Sequence, residues 1–151
     1  MPEEYRNIYK NARRAAGFTQ EAAAEQLGIS VESVRAYETG QRIPPNDVVE
    51  QMVICYNALR LAFQHLHETN VLAAQVIPDI QQRSALEASA KPTNRIYEFA
   101  DKHSDRRLMR ITEDNHIDDS ERPELNTIME ELAEIVQAAM ELRCCVSGKS
   151  I

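Results

Sequence analysis

Residues Phe18 to Pro44 read FTQEAAAEQLGISVESVRAYETGQRIP, and no other stretch limits the possible folds as tightly. Thr19 can cap a short helix, and Glu21 suits the positive first turn of that helix. Gly28 ends it where a left-handed residue is needed. Ser30 caps the next helix at once, so the turn is too short for an antiparallel pair and the two helices must cross steeply. Ala23 and Ala24 supply the small side chains such a crossing needs, and Leu27, Ile29, Val34 and Tyr37 fall on its inner side. Gly40 closes the second helix, and Pro44 and Pro45 prevent its continuation. The spacing predicts a helix-turn-helix.

These residues resemble the Xre/Cro-like, lambda-repressor-type family of bacterial and phage regulators. Gln20 opens the first motif helix, Ala24 stands at the tight-packing alanine, Gly28 at the turn glycine, and Glu38-x-Gly40 closes the second helix before Pro44. The resemblance runs from Tyr5 to Asn57, roughly a third of the chain. Ala23 departs from it, since the family usually has leucine there, and is expected to loosen the core slightly.

The resemblance implies a bundle of about five helices that binds double-stranded DNA as a homodimer. It also implies that the second motif helix enters the major groove. A helical wheel with Val34 and Tyr37 inward turns Glu32, Arg35 and Ala36 outward and leaves Val31 and Ser33 at the margins. Arg35 can donate to guanine, Glu32 can accept from a cytosine amino group, and Val31 or Ala36 can touch a thymine methyl. Glu32 has a simpler explanation as an acid favoured by the helix dipole. By family position, Gln20 and Arg42 are implied phosphate contacts, and Arg13 and Glu38 an internal ion pair.

The charge balance restricts how such a reader could work. The chain of 151 residues carries −7 overall. Residues 1–57 hold six Lys/Arg against eight acids, a net −2, which leaves −5 for the remainder. Phosphate binding ordinarily leaves a basic footprint, so the positive charge must be concentrated. The first helix offers Arg6, Lys10 and Arg13 along one flank, beside an apolar face of Tyr5, Ile8, Tyr9, Ala12 and Ala16. The alternative for that flank is a solvated face, and an ion-paired Arg13 would leave it.

Four glycines are too few for a turn-rich β domain, and the expected fold class is all-α: a helix-turn-helix domain over 1–68 and a helical C-terminal region over 69–151. No apolar run follows Met1 and no segment is long enough to span a bilayer, so neither signal peptide nor membrane is expected and the location expected is the cytoplasm. Cys55, Cys144 and Cys145 cannot form a paired framework.

Beyond the motif, a helix is expected to begin near Val48, capped by Asn46 or Asp47, and a longer one to span Ala58 to Ile77 until Pro78 stops it. Ile80 to Ala90 reads as a linker ending at Lys91-Pro92, after which Thr93 can cap a helix holding Ile96, Phe99 and Ala100. A short helix through Leu108, Met109 and Ile111 precedes an acidic turn at Asp114 to Asp119, and a final helix runs from Ser120 to about Arg143. Leu125, Ile128, Leu132, Ile135, Ala139 and Leu142 form a heptad seam along it, widened by Met129, Val136 and Met140. Burial within the chain accounts for most of this stripe, and the rest is available for a dimer contact or another protein partner. This region also resembles, less specifically, C-terminal domains found behind the motif in some Gram-positive and phage-type regulators.

Several chemical motifs fail on inspection. The stretch from Ile111 to Asp118 lacks the first ligand and the glycine of a calcium loop, and Gly148-Lys149-Ser150 lacks the first glycine of a phosphate loop. His65 and His67 point to different helix faces. No catalytic constellation, metal site or cofactor is expected. The functional expectation is a sequence-specific DNA-binding transcriptional regulator of bacterial or phage origin, acting as a repressor and as a dimer on a pseudo-palindromic operator. The competing class is a protein-interaction module such as an antirepressor or antitoxin subunit, favoured by the acid excess and by Arg35 being the single cation on the reading helix.

Overall fold

The computed structural model describes residues 7–147, in which every regular element is an α-helix. In chain order these are α1 Ile8–Ala15, α2 Gln20–Leu27, α3 Val31–Glu38, α4 Asn46–Cys55, α5 Leu59–Thr69, α6 Val71–Val76, α7 Ala85–Asp101, α8 Ser104–Thr112 and α9 Arg122–Ser147. They form two compact units that divide between Ile80 and Gln81. The fold is all-α.

The core of the first unit gathers Ile8 and Tyr9 from α1, Ala23 from α2, Tyr37 from α3, Val49 and Met52 from α4, Tyr56, and Leu61 from α5. Phe18 packs against it, with its ring centroid 5.9 Å from that of Tyr56. A polar contact is built into the same core. The Tyr9 hydroxyl lies 2.8 Å from His65 Nδ1, and His65 Nε2 lies 2.9 Å from Asn46 Oδ1. An amide oxygen can only accept, so Nε2 carries the proton and Nδ1 accepts from the phenol. Burial pushes the His65 pKa down, in keeping with a neutral ring. This network ties α1, α4 and α5 together, and neither histidine periodicity nor hydropathy announces it.

Helix one differs from the expected apolar face at its C-terminal end. Tyr5 and Arg6 lie outside the described residues, and Ala16 is an exposed C-cap. Asn7 is the N-cap, accepting from Lys10 N at 2.8 Å through its side chain.

The single helix expected over Ala58 to Ile77 is two. Asn70 adopts an extended conformation, and its side-chain oxygen accepts from Leu72 N at 2.9 Å and Ala73 N at 3.1 Å. Asparagine competes with the helix for backbone partners in this way, and the capping it offers to α6 ends α5.

The second unit corrects the expected linker. Ser84 and Glu87 form a reciprocal capping box, so α7 begins at Ala85 and runs through Lys91 and Pro92 rather than stopping there. Proline inside a helix removes a hydrogen bond and costs about 3 kcal/mol in an exposed interior. Here the ring is buried, and Ala88, one turn earlier, is buried completely. Thr93, expected as a cap, instead donates its hydroxyl to Ser89 O at 3.0 Å within the helix.

Before α9, Asp118 Oδ1 accepts from Glu121 N at 3.0 Å while Glu121 Oε2 accepts from Asp118 N at 3.1 Å. These reciprocal bonds close the turn that precedes α9, and the helix itself starts at Arg122, two residues later than expected, with Pro123 in its first turn. Ile128 is fully enclosed and is a core residue of its own chain, which removes it from the expected oligomerisation set. Leu125, Leu132, Ile135 and Leu142 are half-buried. Ala138, not Ala139, is the enclosed alanine, so the buried face towards the C-terminal end of α9 lies off the expected seam. Glu141 lies on that buried face. Its carboxylate accepts from Arg83 Nε at 2.6 Å and Lys91 Nζ at 3.0 Å, and these partners hold its pKa down against the opposing effect of burial.

Candidate nucleic-acid interface

The motif is set by its caps. Thr19 Oγ1 accepts from Ala22 N at 3.1 Å at the start of α2, and Ser30 Oγ accepts from Ser33 N at 3.1 Å at the start of α3. Between them Gly28 takes the left-handed conformation, φ 65° and ψ 30°, and Ile29 N returns to Ala24 O at 3.1 Å. Ala23 and Ala24 are buried, which lets α2 and α3 approach closely. The C-terminal end of α3 is held from α1, since Asn7 Nδ2 donates to Tyr37 O at 2.9 Å. An eight-residue helix is unstable in isolation, so these contacts give α3 its persistence.

Val34, Tyr37 and Glu38 are the buried residues of α3. Glu32 and Arg35 are exposed, whereas Val31, Ser33 and Ala36 are half-buried at the edges of the outward face. Arg35 is 54 % exposed and lies 3.9 Å from both Glu21 and Glu32, beyond hydrogen-bond reach. Its Nε donates to Gln20 Oε1 at 3.2 Å. Arg42 follows in the loop, with Nη2 donating to Ser33 Oγ at 2.8 Å and its guanidinium 4.9 Å above the Tyr37 ring. The outward face therefore presents two cations, each braced by the motif itself.

Behind this face lies a buried ion pair. Arg13 Nε and Nη2 contact the two Glu38 oxygens at 2.5 and 3.0 Å, and Arg13 Nη1 donates to Phe18 O at 2.5 Å. The Glu38 carboxylate pushes the Arg13 pKa upward, so the guanidinium is charged at any ordinary pH. Arg13 is thus withdrawn from solvent and leaves the expected basic flank of the first helix, while Arg6 lies outside the described residues.

Gln20 is the residue whose surroundings the sequence least foretold. Its Nε2 donates to Glu38 Oε2 at 2.9 Å while its Oε1 faces Arg35. A glutamine one helix away from both partners carries no periodic signal of such a contact. In the second unit, Leu125, Leu132, Ile135 and Leu142 share one helix but are only partly exposed, whereas Met129 and Val136 stand outward at 53 % and 49 %. No described helix is both long and apolar enough to cross a membrane.

Residues 10–66 match a family model described as a helix-turn-helix domain. The match passes Asn57, where the sequence resemblance ends, and takes in most of α5. Neither the curated proteins nor the solved structures compared with this chain give a match. The helix-turn-helix assignment supports a DNA-binding regulator in general terms.

Proposed function

We propose that the chain is a sequence-specific transcriptional regulator of the Xre/Cro-like, lambda-repressor type, acting as a repressor and by binding rather than by catalysis. The observation that carries this reading is the outward face of α3, where Arg35 stands on a helix capped at Ser30 and held at Tyr37. Arg35 reads a guanine, and Arg42, beside the N-terminal half of α3, meets phosphate. Val31, Glu32, Ser33 and Ala36 border the base edges, with Glu32 selecting a cytosine or serving only the helix dipole. One motif covers only a half-site, so the functional species is a homodimer on a pseudo-palindrome with half-site centres about 34 Å apart. The second unit, in the more acidic part of the chain, then serves assembly or a protein partner away from the duplex.

Selection of bound duplexes from a random pool tests this directly. The expected result is a two-fold symmetric site whose preference at one position in each half weakens with Arg35→Ala. Arg42→Ala should lower binding to all duplexes alike. Failure of the wild-type protein to enrich any sequence, even at low salt, would favour the protein-interaction alternative, an antirepressor or antitoxin subunit. The two carboxylates within 3.9 Å of Arg35 are the feature that supports that second reading.

A further inference from the structure

We infer that Gln20 is a positioning residue for Arg35, linking the buried ion pair to the reading face. This rests on the DNA-reading role proposed above. A carboxylate can only accept, so Glu38 Oε2 at 2.9 Å fixes Nε2 as the inward end of the Gln20 amide. The oxygen end is thereby turned outward, where it accepts from Arg35 Nε at 3.2 Å. Glu38 itself cannot swing, because both its oxygens are engaged by Arg13 and its side chain is only 4 % exposed. The polarity of the relay therefore runs from a fixed buried charge to an exposed cation.

The consequence concerns how Arg35 meets a base. With Nε occupied, the two terminal nitrogens remain for recognition, and their nearest carboxylate oxygens lie at 3.9 Å, too far to bond. Arg35 Nη1 and Nη2 are thus both left available to meet one acceptor pair, such as guanine O6 and N7, end-on. Gln20 restricts the guanidinium to this presentation before any duplex arrives. The second Nε2 hydrogen of Gln20 is not required by the relay, so a phosphate contact by the same residue must be distinguished experimentally.

Gln20→Met keeps the length and apolar stem of the side chain while deleting both ends of the relay. In the free full-length protein, hydrogen exchange of the Arg35 Nε–H, followed by NMR, should accelerate several-fold in this variant. Equal exchange in both proteins would overturn the contact. In duplex selection, Gln20→Met should weaken preference at the same base position as Arg35→Ala, roughly 5-fold or more, and the double variant should lose little beyond Arg35→Ala alone. A uniform loss across all sequences would instead make Gln20 a phosphate contact and overturn the positioning role. A loss of thermal stability with base preference intact would make it merely structural, with the same effect. Should the wild-type protein enrich no duplex, the DNA-reading assignment and the positioning role fall together, while the Arg35 Nε–H exchange separately reports whether the contact forms.

Discussion

Replacing Glu38 with alanine should destabilise the first unit by about 3 kcal/mol. Breaking a buried ion pair by removing one partner costs about 3–5 kcal/mol, because the remaining charge stays buried. Arg13 and Glu38 side chains are 8 % and 4 % exposed, so solvent screening takes little from that figure. Two details of the site adjust it in opposite directions. Arg13 retains its bond to Phe18 O, which satisfies part of the guanidinium, but Gln20 Nε2 loses its acceptor at the same time. For a unit of this size, about 3 kcal/mol lowers the melting temperature by at least ~10 °C. Tyrosine fluorescence is the suitable probe, since Tyr9, Tyr37 and Tyr56 lie in the first unit and Tyr97 in the second. The double variant Arg13→Met/Glu38→Leu replaces both charges by apolar groups of similar volume and should lie within about 1 kcal/mol of wild type. A loss under ~1 kcal/mol for Glu38→Ala, or a double variant costing the sum of Arg13→Met and Glu38→Leu, would refute the reasoning.

Acid should weaken the first unit through His65. Its folded pKa is lowered, so the stability it contributes is present above the unfolded value of about 6.5 and is lost as pH falls through the folded value. Melting temperature against pH should decline below ~6.5, and His65→Gln should flatten that part of the curve. At alkaline pH, burial and nearby charge push Tyr9 and Tyr56 to about 12. Their stabilising contribution is complete below the ordinary value of about 10 and disappears as pH rises through 12. Phenolate absorbance should show these two groups ionising late, and ordinary titration near 10 in the folded protein would contradict their burial. Gly28→Ala should cost about 1–2 kcal/mol from backbone strain alone, because the added Cβ meets nothing within 4 Å. A larger loss in urea melts would mean that the turn is also sterically closed.

The motif was legible because each of its requirements falls on a different kind of residue. Small alanines, a left-handed glycine, two hydroxyl caps and a proline stop cannot be satisfied together by many structures. The same local grammar is present at Ser84-x-x-Glu87, where the capping box starts α7, but Lys91-Pro92 further along carries the opposite signal. Asn70 carries no such signal, being one polar residue inside an otherwise continuous helical period. Contacts spanning distant segments left no such trace. Tyr9 and His65 are brought together by the packing of α1 on α5, and Glu141 of α9 meets Arg83 and Lys91, which lie 58 and 50 residues earlier in the chain. Periodicity locates a face of a helix; it does not specify which partner that face will meet.

The way α3 is anchored has a bearing on how such a protein can change its target. The restraints on the helix come from its caps, from Val34, Tyr37 and Glu38, and from Asn7 and Arg42 outside it, while Gln20 bonds both Glu38 and the exposed Arg35. Glu32 and Arg35 project from a scaffold whose folding does not depend on them. Substitution at these two positions therefore leaves foldability nearly untouched while altering the chemical surface offered to a partner. Descendants of this chain can diverge in recognition by one or two codon changes, without first passing through an unstable intermediate.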